Sequence, residues 1–148
     1  MRLSTFIESH LEEILGEWDR FAKTLFSLED KLSAYRLRDH AREVLLELTA
    51  DMQTSQTPQQ QSNKSKGAVS PSHPDDSAAT VHGVLRHDDG LTVSQVAAEF
   101  RALRASVLRL WLPKISVMSK EIVIDIIRFN ESIDEALADS IVTYDRER

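Results

Sequence analysis

Five histidines, an arginine pair and several doubled carboxylates are the side chains of this sequence whose types could carry chemistry. His10, His40, His73, His82 and His87 are scattered, and no two form an i, i+4 pair on one helix face. A metal site would therefore need ligands gathered from separate elements. His40 and His82 adjoin apolar positions, so either could ligate haem iron. A hydrogen-bonded histidine at the edge of a core accounts for the same pattern. Carboxylates double at Glu12-Glu13, Asp75-Asp76, Asp88-Asp89 and Asp134-Glu135. Sequence neighbours on a helix point to different faces, so these pairs read as solvated surface rather than as an acid/base couple. The chain has no cysteine, which removes disulfides, thiolate nucleophiles and thiolate metal ligands. Gly16, Gly67, Gly83 and Gly90 are too dispersed to build a phosphate-cradling loop. The most distinctive stretch runs from Glu99 to Trp111, where Arg101 and Arg104 lie three apart on one side of a helix with Glu99 close by. A salt-bridged solvent face is one reading of it; a site for a small anion or a partner subunit is the other. No catalytic residue, metal ligand or cofactor is assigned.

Composition narrows the partners. Lys and Arg number 18 against 24 Asp and Glu, a net charge of −6, which argues against nucleic acid or an anionic membrane surface. No apolar run approaches the ~20 residues of a membrane span. Glu8, Glu12 and Glu13 interrupt the opening segment, unlike a signal peptide. The expectation is a cytoplasmic chain forming one domain over 1–148.

The elements that must position these side chains are helical. Ile7, Leu11, Ile14, Leu15, Trp18, Phe21, Ala22 and Leu25 recur at steps of three and four, predicting one continuous helix capped by Ser4 or Thr5. A second helix is expected from about Arg38 to Met52, with Ala41, Val44, Leu45 and Leu48 inward, and a short helical turn before it within Leu28–Leu37. Residues 53–77 are dominated by Gln, Ser, Pro and Asn, too polar to offset the entropy of ordering, and predict a mobile loop. A short helix from about Ala78 to His87 follows. Thr92-Val93-Ser94-Gln95 is a capping box opening a helix that Pro113 ends. The last helix runs from about Ser119 onward, with Ile122, Ile126, Phe129, Ile133, Leu137 and Tyr144 in a near-heptad and Val123 and Ile127 as a second stripe. One helix within one bundle needs one apolar face; two stripes predict a homodimer built on Ile122, Ile126, Phe129, Ile133 and Leu137. The fold class expected is all-α, a bundle of four or five helices with a long C-terminal output helix.

Three groups of residues together resemble a known family. His82-Gly83-x-x-Arg86, Gly90-Leu91-Thr92-Val93 and Glu99-Phe100-Arg101-Ala102-Leu103-Arg104-x-x-Val107-Leu108-x-x-Trp111 are similar to the RsbRD-type N-terminal domain. Leu37-Arg38-Asp39-His40-Ala41, Asp51-Met52-Gln53-Thr54 and Lys64-Ser65-Lys66-Gly67 fit the same pattern upstream. Downstream, the run from Arg128 to Ser140 resembles the helix entering the kinase core of sensor histidine kinases. Phe100 stands where tyrosine is expected and Leu91 where phenylalanine is, so any role of that hydroxyl is in doubt. His87-Asp88 has the composition of a phosphoacceptor dipeptide but sits in a polar turn, without ATP-binding segments after it.

The resemblance implies a globin-like, non-catalytic sensory domain followed in the intact protein by a histidine kinase core. It directs attention to His82, Arg86, Arg101 and Arg104 as ligand or partner residues. A haem- or small-ligand-binding sensor and a stressosome-type scaffold module are the alternatives.

Loop closure depends only logarithmically on length. Deleting most of residues 53–77 should therefore move the melting temperature by no more than a few degrees in a thermal scan. A large drop would mean that the segment packs.

Overall fold

Thr92 opens the helix with the clearest local signal, and both halves of its capping box form. Gln95 N–H donates to Thr92 Oγ1 at 3.2 Å, and Thr92 N–H donates to Gln95 Oε1 at 2.8 Å. The computed structural model describes residues 1–25, 31–54, 84 and 92–146, apart from the side chains of residues 25 and 31–37. Among the described residues the chain is all-α, with no strand. The helices are α1 (Leu3–Ser9), α2 (Leu11–Leu25), α3 (Lys31–Met52), α4 (Val93–Trp111) and α5 (Lys120–Arg146), with a 3-10 turn over Leu112–Lys114. The 53–77 loop beyond Thr54, the Ala78–His87 helix beyond Val84, and with them His82 and Arg86, lie outside the described residues.

Two expected boundaries move. The first helix is not continuous: it breaks at His10, whose φ of −121° and ψ of 25° leave the helical region. The Ser9 hydroxyl bonds back to Thr5 O at 2.8 Å, a competitor to the helical ladder, and the His10 ring stacks on Phe6 with centroids 4.5 Å apart. Nor does Ser4 or Thr5 cap the start, since Arg2 holds that position without a side-chain cap. The second change is that α3 absorbs the expected short turn and runs for 22 residues. No Gly or Pro interrupts Lys31 to Met52, so nothing local stops the helix there. At the far end Pro113 falls in the 3-10 turn and α4 stops before it, as its ring demands.

Packing follows the apolar stripes. Helix α2 packs on α3 and α4, and α5 packs on α3 and α4, so four helices close a ring. Short α1 touches all four of them. The core takes Leu3, Phe6 and Ile7 from α1, Ile14, Leu15 and Trp18 from α2, and Val44, Leu45 and Leu48 from α3. From α4 it takes Val96, Phe100, Leu103, Val107 and Trp111, and from α5 Ile122, Phe129, Ile133 and Ala136. Ile126, Leu137 and Tyr144 of α5 are partly buried against it.

Phe129 is fully buried, whereas Ile127 on the same helix is 43% exposed. Phe129→Ala should destabilise the chain by about 3–5 kcal/mol in urea unfolding, the usual result for a large core side chain. Ile127→Ala should stay within about 0.5 kcal/mol, as surface changes do. Equal effects would refute this assignment of faces.

Candidate functional site

The side chains that organise this protein gather along α5. Its first turn is capped by Ser119, whose Oγ accepts Ile122 N–H at 3.3 Å. One turn on, Asp125 points inward toward the start of α1. Its carboxylate accepts Arg2 Nε at 2.8 Å, Arg2 Nη2 at 2.7 Å and Leu3 N–H at 3.0 Å. Asp125 thus supplies from another helix the cap that α1 lacks locally. Burial opposes ionisation of Asp125, but the hydrogen bonds from Arg2 and Leu3 outweigh it and hold its pKa below the ordinary carboxylate value. Beside this pair, Trp111 Nε1 donates to Met1 O at 3.0 Å, tying the same segment to the end of α4.

Two further contacts lie along the next turns. Arg128 Nη2 donates to Asp51 O at 2.7 Å and Thr54 O at 3.1 Å, so it closes the open carbonyls at the end of α3. Ser132 Oγ donates to Asp51 Oδ2 at 2.5 Å. Toward α4, Asp134 pairs with Arg104. Six of the ten buried residues of α5 are polar: Asp125, Ser132, Glu135, Asp139, Ser140 and Thr143. A helix docked in this way is positioned by specific hydrogen bonds more than by area, because buried polar pairs add little net stability beyond the desolvation they require.

On the opposite side of the molecule, Arg38 of α3 bridges Asp19 at 2.5 Å and Glu12 at 2.8 Å of α2, and Arg42 also pairs with Glu12. Hydrogen bonds from Arg38 and Arg42 hold the exposed Glu12 below its ordinary pKa. Trp18 Nε1 donates to Glu99 O at 3.4 Å, placing Glu99 inside the ring rather than beside the arginines at the surface. The void between Trp18, Val44, Glu99 and Phe100 is about 10 Å³, close to the volume of one water site. His40 Nδ1 lies 3.8 Å from Glu43, one turn away on the same helix.

The two sequence-derived sets of site residues are redistributed. Arg101 and Arg104 serve different neighbours: Arg104 meets α5, while Arg101 is exposed on the α2 side. The proposed dimer stripe needs correction. Ile122, Phe129 and Ile133 are buried within the protomer's own bundle, and Ile126 and Leu137 pack against it, so this stripe offers little surface to a twin. The reason is that α5 lies across both α3 and α4 and its wider apolar face is needed there. The second stripe faces out instead: Val123 and Ile127 are 44% and 43% exposed, Ile124 beside them is 43% exposed, and Val117 and Met118 precede them at 75% and 60%.

Sequence reasoning missed Asp125, Arg128 and Asp51. A signal for Asp125 was present, since it sits among the inward positions 122, 126 and 129, where an acid must find a partner. Among the described residues, no cluster of three or more His, Asp or Glu could hold a metal ion, and no helix is long and apolar enough to cross a membrane. Comparison with protein-family models, curated proteins and solved structures finds no match for this chain.

Asp125→Ala should destabilise the fold at pH 7 by about 1–2 kcal/mol, the low end for charged hydrogen bonds because Arg2 is 54% exposed. The sign with pH is fixed by the lowered pKa. The contribution is complete above the unfolded value near ~4 and is lost as pH falls through the lower folded value. Urea titrations at pH 7 and at about pH 3 should therefore show the wild-type advantage shrinking on acidification. An advantage that grows in acid would contradict the pairing.

Proposed function

We propose that this chain is a non-catalytic signal-input domain whose output element is α5, working as a homodimer ahead of a histidine kinase core in the cytoplasm. The observation that carries the reading is the double character of α5. It is 27 residues long, about 40 Å at the helical rise, and its inner face joins an apolar stripe to six buried polar residues with discrete hydrogen bonds to α1 and α3. Its outer face leaves Val123, Ile124 and Ile127 uncovered by the bundle. A helix held by discrete hydrogen bonds has a small number of allowed positions, which suits a switch between two packings. An apolar row on its outside gives a second copy something to bury. The RsbRD-type resemblance supplies the identity of the downstream partner, and the acidic balance of the chain fits a protein partner better than nucleic acid.

The interface is expected around Val123, Ile124 and Ile127, continued by Val117 and Met118 ahead of α5. Fully burying an aliphatic side chain contributes about 1.5–3 kcal/mol, and these are already half covered, so the isolated chain should dimerise weakly. Asp134, farther along the helix, is neutralised by Arg104 and so adds less repulsion between two copies.

The absence of cysteine makes the test clean. Ile127→Cys should form an intermolecular disulfide on mild oxidation, and light scattering should show mass rising with concentration for the wild type. Ile127→Asp should abolish that rise while leaving helical content unchanged. A wild type that stays monomeric at high micromolar concentration and an Ile127→Cys chain that does not cross-link would defeat the proposal.

A further inference from the structure

Helix α4 turns a strip of small residues toward α2. Ala98, Ala102 and Ala105 follow steps of four and three and lie along one line of the helix. Helices pack with axes about 8–10 Å apart, and methyl groups alone do not fill that spacing. A groove of about 490 Å³ remains open along the strip, with Phe21 of α2 as an apolar wall. That volume is within the usual range of small-molecule sites, about 300–1,000 Å³.

Charge in the groove is unbalanced in one direction. Arg101, Arg109 and Glu17 line it, and Arg109 pairs with Glu17. Two guanidiniums against one carboxylate leave a net charge of +1, on a chain whose total is −6. Arg101 has neither an ion pair nor a hydrogen bond among the described residues. A second polar group stands in the same wall. Ser106 also lines the groove, and its hydroxyl has no hydrogen-bond partner among the described residues, which leaves it available to solvent or to a ligand.

We propose that this groove binds a small organic acid, with a single carboxylate on Arg101 and an apolar body over the alanine strip against Phe21. A guanidinium fork matches a carboxylate through two parallel hydrogen bonds. The single uncompensated charge selects a monoanion, since the second negative charge of a dianion would find Arg109 already engaged by Glu17. Alanines and a phenylalanine ring give the body of the ligand a surface without hydrogen-bonding demands. The inference extends the signal-input reading by giving the input a chemical class, but it stands on α2 and α4 alone and does not involve the outer face of α5.

The test uses the whole chain, with octanoate as probe and 1-octanol as its uncharged counterpart. Titration followed by amide chemical shifts should place octanoate at the α2–α4 groove and show it binding more tightly than 1-octanol. Arg101→Gln should weaken octanoate about tenfold or more, the loss expected of a charged hydrogen-bond pair, and leave 1-octanol unchanged. Ala105→Leu, which fills the groove from its exposed edge, should weaken both probes with the circular dichroism spectrum preserved. Equal binding of the two probes, indifference to Arg101→Gln, no octanoate binding, or shifts centred away from the groove would each overturn the assignment. A chain that binds octanoate at this site but never dimerises would sink the output-helix reading and leave this one standing.

Discussion

A helix of seven residues cannot sustain itself in water, because nucleation costs more than so few hydrogen bonds return. Yet α1 touches every other helix of the bundle, and its Leu3, Phe6 and Ile7 are completely buried. What makes this possible is the Asp125 carboxylate, which takes the Leu3 N–H at the exposed end of the ladder and the Arg2 guanidinium beside it. The constraint works in both directions. Asp125 is buried on the inner face of α5, and a buried carboxylate needs partners or it loses its charge. Each helix is therefore the condition for the other's placement, and the end of α4 joins them through Trp111 and Met1 O.

The same helix settles the opposite problem at α3. The last turn of any α-helix leaves carbonyls without intrahelical partners, and Arg128 donates to two of the carbonyls gathered there. Helix α5 thus closes the N-terminal end of one neighbour and the C-terminal end of another within a single turn of its own length. An apolar interface tolerates small slides, since contacts are exchanged for similar contacts. A pair of end-caps does not, because a displacement of an ångström or two leaves N–H and C=O groups unmatched in both neighbours. Displacement of α5 is therefore expected to be discrete, with one set of contacts released together, which is the property that a mechanical output requires.

Legibility in the sequence tracks the range of the interactions involved. The Thr92–Gln95 box, the stop before Pro113 and the inward stripes of α2, α3 and α4 depend on neighbours within a turn or two, and all were readable. The break at His10 was not, because the apolar period continues through it and only the backbone at His10, with φ −121° and ψ 25°, departs from the helix. The start of α3 was placed too late, since its first turns carry Lys31, Ser33, Tyr35 and Arg36 in a pattern without a clear stripe. The two stripes on α5 were correctly counted, but the one assigned to an interface turns into the protomer's own core and the other is exposed. Which of two adjacent apolar faces turns inward depends on where α3 and α4 sit, and no local pattern encodes that. The partners of Asp125 are 122 and 123 residues away, beyond any periodicity argument.

Arg101 and Arg104 show how a local motif divides its work once it is folded. Three residues apart, they stand about 60° around the axis of α4, enough for one to border α2 and the other to reach α5. Helix α4 thereby borders the groove beside Phe21 and also reaches Asp134. A ligand in that groove can influence α5 only by the difference in its affinity for two arrangements of α4, however tightly it binds to either. Any rotation of α4 would move Arg104 and Arg101 together, since both belong to one helix. A coupling between the groove and α5 would need no chain of intermediates through the core, because both arginines belong to the same helix.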